Sequence, residues 1–133
     1  MLESFLKSQP LFMVSLDYRL DFCREIVGKR RPGAAEREQA AALKKVVFDA
    51  VTNAIEAGLP KSQVAILTEP DLGEGVHFRA RAMSMSAGVS VEKPGGGPLM
   101  MMRPTSAWDL VARLDATHVF TRVQYNPQDS KEK

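Results

Sequence analysis

The sequence predicts an α/β fold built on a parallel sheet, and three observations carry that prediction. Four apolar, strand-like runs recur along the chain, at Leu11–Leu16, Val64–Thr68, Val89–Val91 and His118–Tyr125. Stretches with helical spacing lie between them. Each run also ends at once in a polar cluster: Asp17-Tyr18-Arg19, Glu69-Pro70-Asp71, Glu92-Lys93 and Asn126-Pro127-Gln128. In βα proteins the C-terminal ends of parallel strands collect site residues, because the loops there vary while the sheet stays rigid. Asp, Asn, Pro and Gly after a strand are also ordinary turn residues, so one charged tip alone decides nothing; carboxylates at three successive tips make candidates. The rhythm stops just after the fourth strand, which is half the count of an eight-stranded barrel.

The elements follow in order. After the first strand and its tip, Cys23 sits among Leu20, Phe22 and Ile26 and reads as a buried structural thiol. Gly28–Gly33 breaks the pattern and holds the one basic run, Lys29-Arg30-Arg31, expected to be a solvated loop. The longest helix spans about Ala34 to Ala57. Leu43, Val47, Ala50, Val51, Ala54 and Ile55 recur there at helical spacing, and Gly58 with Pro60 supplies the stop. Its opposite face, with Glu36, Arg37, Glu38, Lys44, Lys45, Asp49 and Glu56, is expected to be wet. A second helix is expected from Glu74 to Ala87, its period blurred by Met83 and Met85, with Gly88 as the stop before the third strand. A third, from Ser106 to Leu114, opens with Ser106-x-x-Asp109, a capping-box variant, and Trp108, Val111 and Ala112 line one side.

Between the third strand and that helix lies Pro94–Pro104, too rich in Gly and Pro for a helix or strand and expected to be a long flexible loop. It lacks the Lys-Ser/Thr ending of a P-loop and the spacing of a dinucleotide site. Its Met100-Met101-Met102 is either an adaptable contact surface or hydrophobic cover over the sheet end. The charged tail, Ser130–Lys133, is expected to fray.

Length and composition bound the function. A chain of 133 residues with 44% hydrophobic and 26% charged residues is one ordinary globular domain. A net charge of +2, with Lys29-Arg30-Arg31 the only basic run, is too small to point to nucleic acid, which needs Lys and Arg clustered on one face. One cysteine excludes an internal disulfide. His77 and His118 lie far apart with no HxxxH or CxxC spacing to join them, so a protein-only metal site is not expected; no cofactor is expected. Residues Met1–Pro10 lack the apolar core of a signal peptide, and no run reaches the about 18 apolar residues of a membrane span, so a cytoplasmic protein is expected.

Four stretches carry a resemblance to a known family. "LFMVSLDYR", "VVFDAVTNAIEAGLPKSQVAILTEPDLG", "VSVEKPG" and "VFTRVQYNPQD" resemble, in order and spacing, the first half of a class I aldolase-like (βα)8 barrel family. That family includes the barrel domain attached to the bacterial inositol-catabolism sugar kinase and, more distantly, tagatose-bisphosphate aldolase. The resemblance spans about Leu11 to Asp129 and is most specific at "EAGLPK", "VEK" and "YNP".

It implies a parallel four-stranded (βα)3β half of a TIM barrel and a site for a sugar or sugar phosphate. Asp17 and Arg19 match the family's first strand tip while Tyr18 departs from it. Glu69-Pro70-Asp71-Leu72-Gly73 stands where relatives carry an acidic pair, and Glu92-Lys93 is kept but followed by Pro94-Gly95 instead of Ser-Gly. Phe120 replaces a lysine common in the fourth strand. The family's Schiff-base lysine lies on a later strand, which leaves Lys93, with Glu92 beside it, as the candidate catalytic group. Such a lysine must be largely neutral near pH 7, which requires burial or a neighbouring cation. Asp17, Arg19, Glu69, Asp71 and Asn126 are the candidate ligand-binding residues.

Two readings follow. In one, the chain is a ligand-binding or interaction module without chemistry of its own; in the other, it is a sugar-phosphate aldolase, a carbon–carbon lyase, active as a homo-oligomer. Either way the strands are apolar on both faces, as in Val64-Ala65-Ile66-Leu67, so something must cover the sheet. Self-association, or a second chain supplying the missing half, is the expected cover.

Overall fold

The structure is a computed structural model that describes residues 11–29, 31–93, 100–101 and 107–122. It contains four strands, β1 (Phe12–Ser15), β2 (Val64–Thr68), β3 (Ser86–Ser90) and β4 (His118–Phe120). Its four α-helices are α1 (Leu20–Val27), α2 (Ala34–Glu56), α3 (Glu74–Ala82) and α4 (Ala107–Leu114). The strands form one sheet in the order β1-β2-β3-β4, every neighbour parallel. The α/β class and the parallel sheet expected from the sequence are therefore present.

Register shows how the layers are arranged. Val14, Ile66 and Ala87 lie in one row across the sheet, and Ile66 and Ala87 pack with Phe48 of α2 and with Val76 and Ala80 of α3. Two residues further along each strand, Val89 packs on Leu110 and Leu114 of α4. Side chains two apart on a strand share a face, so α2, α3 and α4 all lie on one side. No helix among the described residues packs on the other side, where Ser15, Leu67, Gly88 and His118 form a row. An unbroken strand order with helices on one side makes the described sheet singly wound; doubly wound sheets reverse order and use both faces.

Several boundaries differ from the sequence expectation. An eight-residue helix, α1, follows the first tip where none was expected; it packs on α2 through Phe22, Cys23 and Val27 against Ala40 and Ala41. Cys23 is buried as expected, its thiol donating to the Glu36 carbonyl at 3.4 Å. The second expected helix ends at Ala82, and Ser86-Ala87 belong to β3. Gly88, read as a stop, is inside that strand, because a Cβ there would overlap the His118 imidazole lying across it from β4. Fourth-strand pairing ends at Phe120, and residues 123–125 lie outside the described residues.

The burial of α2 also differs. Ala40, Lys44 and Phe48 are its buried stripe, with Val51 and Ile55 packed beside it, whereas Leu43 and Val47 face solvent. Trp108 of α4, expected on a packed side, is 80% exposed while Leu110 and Leu114 fill the core. Of the glycine-rich stretch, only Met100 and Met101 are described. Glu92 and Met101 form an antiparallel bridge, and the Lys93 amide donates to the Met100 carbonyl at 2.7 Å. Met101 packs on the Val89–Leu110 cluster, which makes it cover, whereas Met100 is exposed. Residues 94–99, 102–106 and the tail 130–133 lie outside the described residues.

Candidate functional site at the strand tips

The tips of β1, β3 and β4 converge on the face away from the helices. Arg19, just past β1, reaches over β2 to β3: one guanidinium nitrogen donates to the Glu92 carbonyl at 2.6 Å, the other to the Ser90 hydroxyl and to Glu92 Oε1 at 3.3 Å. Arg122, past β4, pairs with Asp17 Oδ2 at 3.0 Å, and Ser15 donates to the other Asp17 oxygen. In a flat sheet the two edge strands stand about 14 Å apart with parallel side chains. An ion pair between residues following β1 and β4 shows that this face is concave.

Small side chains leave room for that convergence. Ala65, Gly88 and Ser90 line the middle strands on the concave face and are buried beneath longer groups from neighbouring strands. Arg19 and Asp17 are also mostly buried, and Glu92 Oε2 is buried without a hydrogen-bond partner.

Glu69 points elsewhere. It is fully buried and closes its own turn by accepting the Asp71 amide at 2.6 Å and the Leu72 amide at 3.0 Å. Gly73 completes this turn, since a Cβ there would stand 2.8 Å from the Glu69 carbonyl oxygen. Facing Glu69 is Lys44, 1% exposed, the residue expected on the wet face of α2. Its ammonium donates to Glu69 Oε1, to the Tyr18 carbonyl and, at 2.8 Å, to the Leu16 carbonyl. Three donors meet three acceptors, so the charged form is saturated. Burial pushes the Lys44 pKa down and Glu69 opposes that shift.

Of the expected site residues, the structure therefore brings together Asp17, Arg19 and Glu92. Glu69 is diverted into a structural pair, Asp71 is exposed beside it, and Asn126 lies outside the described residues. Lys93 is exposed, and its backbone amide donates to the Met100 carbonyl. Ser15, Lys44, Ser90 and Arg122 were not singled out by the sequence. For Lys44 the signal was its place four residues from both Ala40 and Phe48 in one stripe; for Ser90 it was the two-residue alternation with Gly88 and Glu92.

Beneath the site lies a second polar chain. His77 of α3 is fully buried, with Nε2 2.9 Å from the Leu114 carbonyl and Nδ1 2.8 Å from the Thr68 hydroxyl. Nε2 must donate to the carbonyl, which leaves Nδ1 to accept from Thr68 in the neutral ring. Burial lowers the pKa of both His77 and His118; around His77, Arg81 and His118 add to the effect while the Leu114 carbonyl and Asp115 oppose it. A lowered histidine pKa means that below about pH 6.5 the unfolded chain binds protons the folded chain resists, so stability is intact above that value and falls with pH beneath it. Melting temperatures between pH 5 and 8 are expected to level off above about pH 7 and drop below about pH 6.5, with a shallower drop for His118→Gln.

Among the described residues, no group of three or more His, Cys, Asp or Glu is placed to hold a metal ion, and no helix is long and apolar enough to cross a membrane. No protein-family model, curated protein or solved structure matches the chain. The class that fold and site define is a singly wound α/β protein with a concave, charge-paired face at its strand tips.

Proposed function

We propose that this chain is half of an aldolase-type (βα)8 barrel that works as a ligand-binding module without carbon–carbon lyase chemistry of its own. The observation that carries this reading is the state of two lysines, Lys44 of α2 and Lys93 at the tip of β3. Lys44 is saturated as an ammonium and sealed from solvent, and Lys93 stands in water beside Glu92. Lys44 is out of a substrate's reach, and Lys93 is exposed to solvent and not enclosed with the paired groups of the concave face, so neither is placed as a Schiff-base nucleophile. The concave face supports a ligand-binding role: Asp17, Arg19, Ser90, Glu92 and Arg122 supply donors and acceptors whose charges balance within the cluster, which suits a polyhydroxylated sugar better than a strongly anionic one.

The aldolase reading is favoured by one observation, the convergence of those groups at the strand ends where barrel enzymes place their sites. A single experiment separates the two. The protein is mixed with a panel of sugars and sugar phosphates, melted to find stabilising ligands, then treated with borohydride and weighed intact. Stabilisation by a sugar with no covalent adduct is the expected result. A trapped adduct that disappears in Lys93→Ala would establish the aldolase instead, and no stabilisation by any member of the panel would remove the ligand-binding reading.

A further inference from the structure

The two edges of the sheet are incomplete in complementary ways. Among the described residues β1 pairs only with β2 and β4 only with β3, so within them each strand has a parallel ladder without a partner on its outer side. At the β1 edge Phe12 and Met13 are 50% and 53% exposed, and at the β4 edge Val119 is 43% exposed. These are apolar side chains on strand edges that soluble proteins usually protect with charge or cover.

The helix layer is unfinished at the same two boundaries. One flank of α2 meets α3 through Asp49, which pairs with Arg79 at 2.7 Å, and through Lys45 beside Gly75. Leu43 and Val47 project from the opposite flank, toward the β1 side, and are exposed. On α4, Arg113 pairs with Glu74 of α3, and Trp108 projects from the far flank, toward the β4 side. Leu43, Val47 and Trp108 therefore lie toward the two boundaries where a further βα unit would begin, while Ile26, Val46 and Phe78 are exposed elsewhere on the helices.

Building on the half-barrel reading, we infer that two copies associate about a two-fold axis, β1 of each pairing in parallel with β4 of the other, to close an eight-stranded barrel. A second copy is the occupant that supplies both missing edges at once, in the correct direction, and leaves none open. The concave sheet already has the curvature, and eight strands make the barrel whose interior side chains just fill. The area is adequate. With aromatic side chains at about 150–250 Å² and aliphatic ones somewhat smaller, the exposed parts of these edge and flank residues come to roughly 600 Å² per copy, against about 800 Å² per partner in a standard stable interface. The backbone ladders at both junctions add to it. Closure would also place the strand tips of both copies around one mouth.

Light scattering during size-exclusion chromatography, at several concentrations, tests this with three variants whose folding is followed by circular dichroism. The wild type is expected to run with the mass of two chains. Phe12→Lys and Val119→Lys, one at each edge, are each expected to weaken association at least tenfold while keeping the wild-type spectrum. Val46→Lys, on the outer face of α2, is expected to leave the dimer intact. A monomeric wild type overturns the inference and points to a different chain, or to further strands of a longer polypeptide, as the cover. It is equally overturned if only one edge variant dissociates the dimer, since that indicates like edges pairing, or if Val46→Lys alone does, since that places the interface on the helix. Mass is read without ligand, so failure of the sugar panel leaves this result standing, and a monomer that binds a sugar overturns the closure alone.

Discussion

Lys44→Met is expected to cost about 3–5 kcal/mol of folding free energy, a loss of roughly 10–20 °C in melting temperature for a chain of this size. Methionine fits the volume, so the cost arises from what the ammonium leaves behind. Glu69 would remain buried with a charge and no cation, and the Leu16 and Tyr18 carbonyls would lose the donor they share. Removing one partner of a buried pair is far more damaging than removing both. Here, however, removing both is not expected to restore stability. In Lys44→Met/Glu69→Leu the amides of Asp71 and Leu72 lose their acceptor as well, so the turn between β2 and α3 opens. Urea titration of the wild type, both single variants and the double variant checks this. A double variant as stable as the wild type would show that the tripod is dispensable to the fold.

Lys44 also shows what kind of information the sequence withholds. The strands and the bounds of α2 were legible because long apolar runs and a Gly-Pro stop are local signals, decided by the residues themselves. A lysine inside a helix reads as a solvated one on the same local terms, and its burial is made tolerable by groups far away in sequence, the Glu69 carboxylate twenty-five positions on and the Leu16 and Tyr18 carbonyls. Gly88 misled for a related reason. Glycine before an apolar run reads as punctuation, yet here its missing side chain is the space His118 occupies, and that need arises only once β3 and β4 are paired. The short helix α1 was hidden because eight residues carry barely two turns of period. Of the candidate site, the identities of Asp17, Arg19 and Glu92 were readable from their positions at the tips, but the pairing of Arg19 with Glu92 and of Asp17 with Arg122 was not. That depends on the sheet curling, a property of four strands together. Lys93 is exposed, as a lysine between Glu92 and a glycine-rich stretch suggests.

The second large effect is expected at Arg19, where fold and site meet. Arg19→Met should cost about 2–4 kcal/mol, because the guanidinium is the only group holding the tip of β1 to the tip of β3 among the described residues. Glu92 already has one carboxylate oxygen buried without a partner, and the substitution would strand the other. The penalty is therefore carried mainly by Glu92, which gives the prediction a second half. In the Arg19→Met background, Glu92→Gln replaces a stranded charge with a neutral amide and should recover about half of the loss, while Glu92→Gln in the wild type should destabilise. A double-mutant cycle read by urea titration measures this coupling directly, and additive effects would refute it. The same variants bear on the proposed function. If the concave face holds a sugar, Arg19→Met should abolish the ligand's stabilising effect even at temperatures where the variant is fully folded, whereas Lys93→Ala should leave it unchanged. Loss of binding in Lys93→Ala with binding kept in Arg19→Met would move the site off the concave face and onto the exposed rim beyond β3.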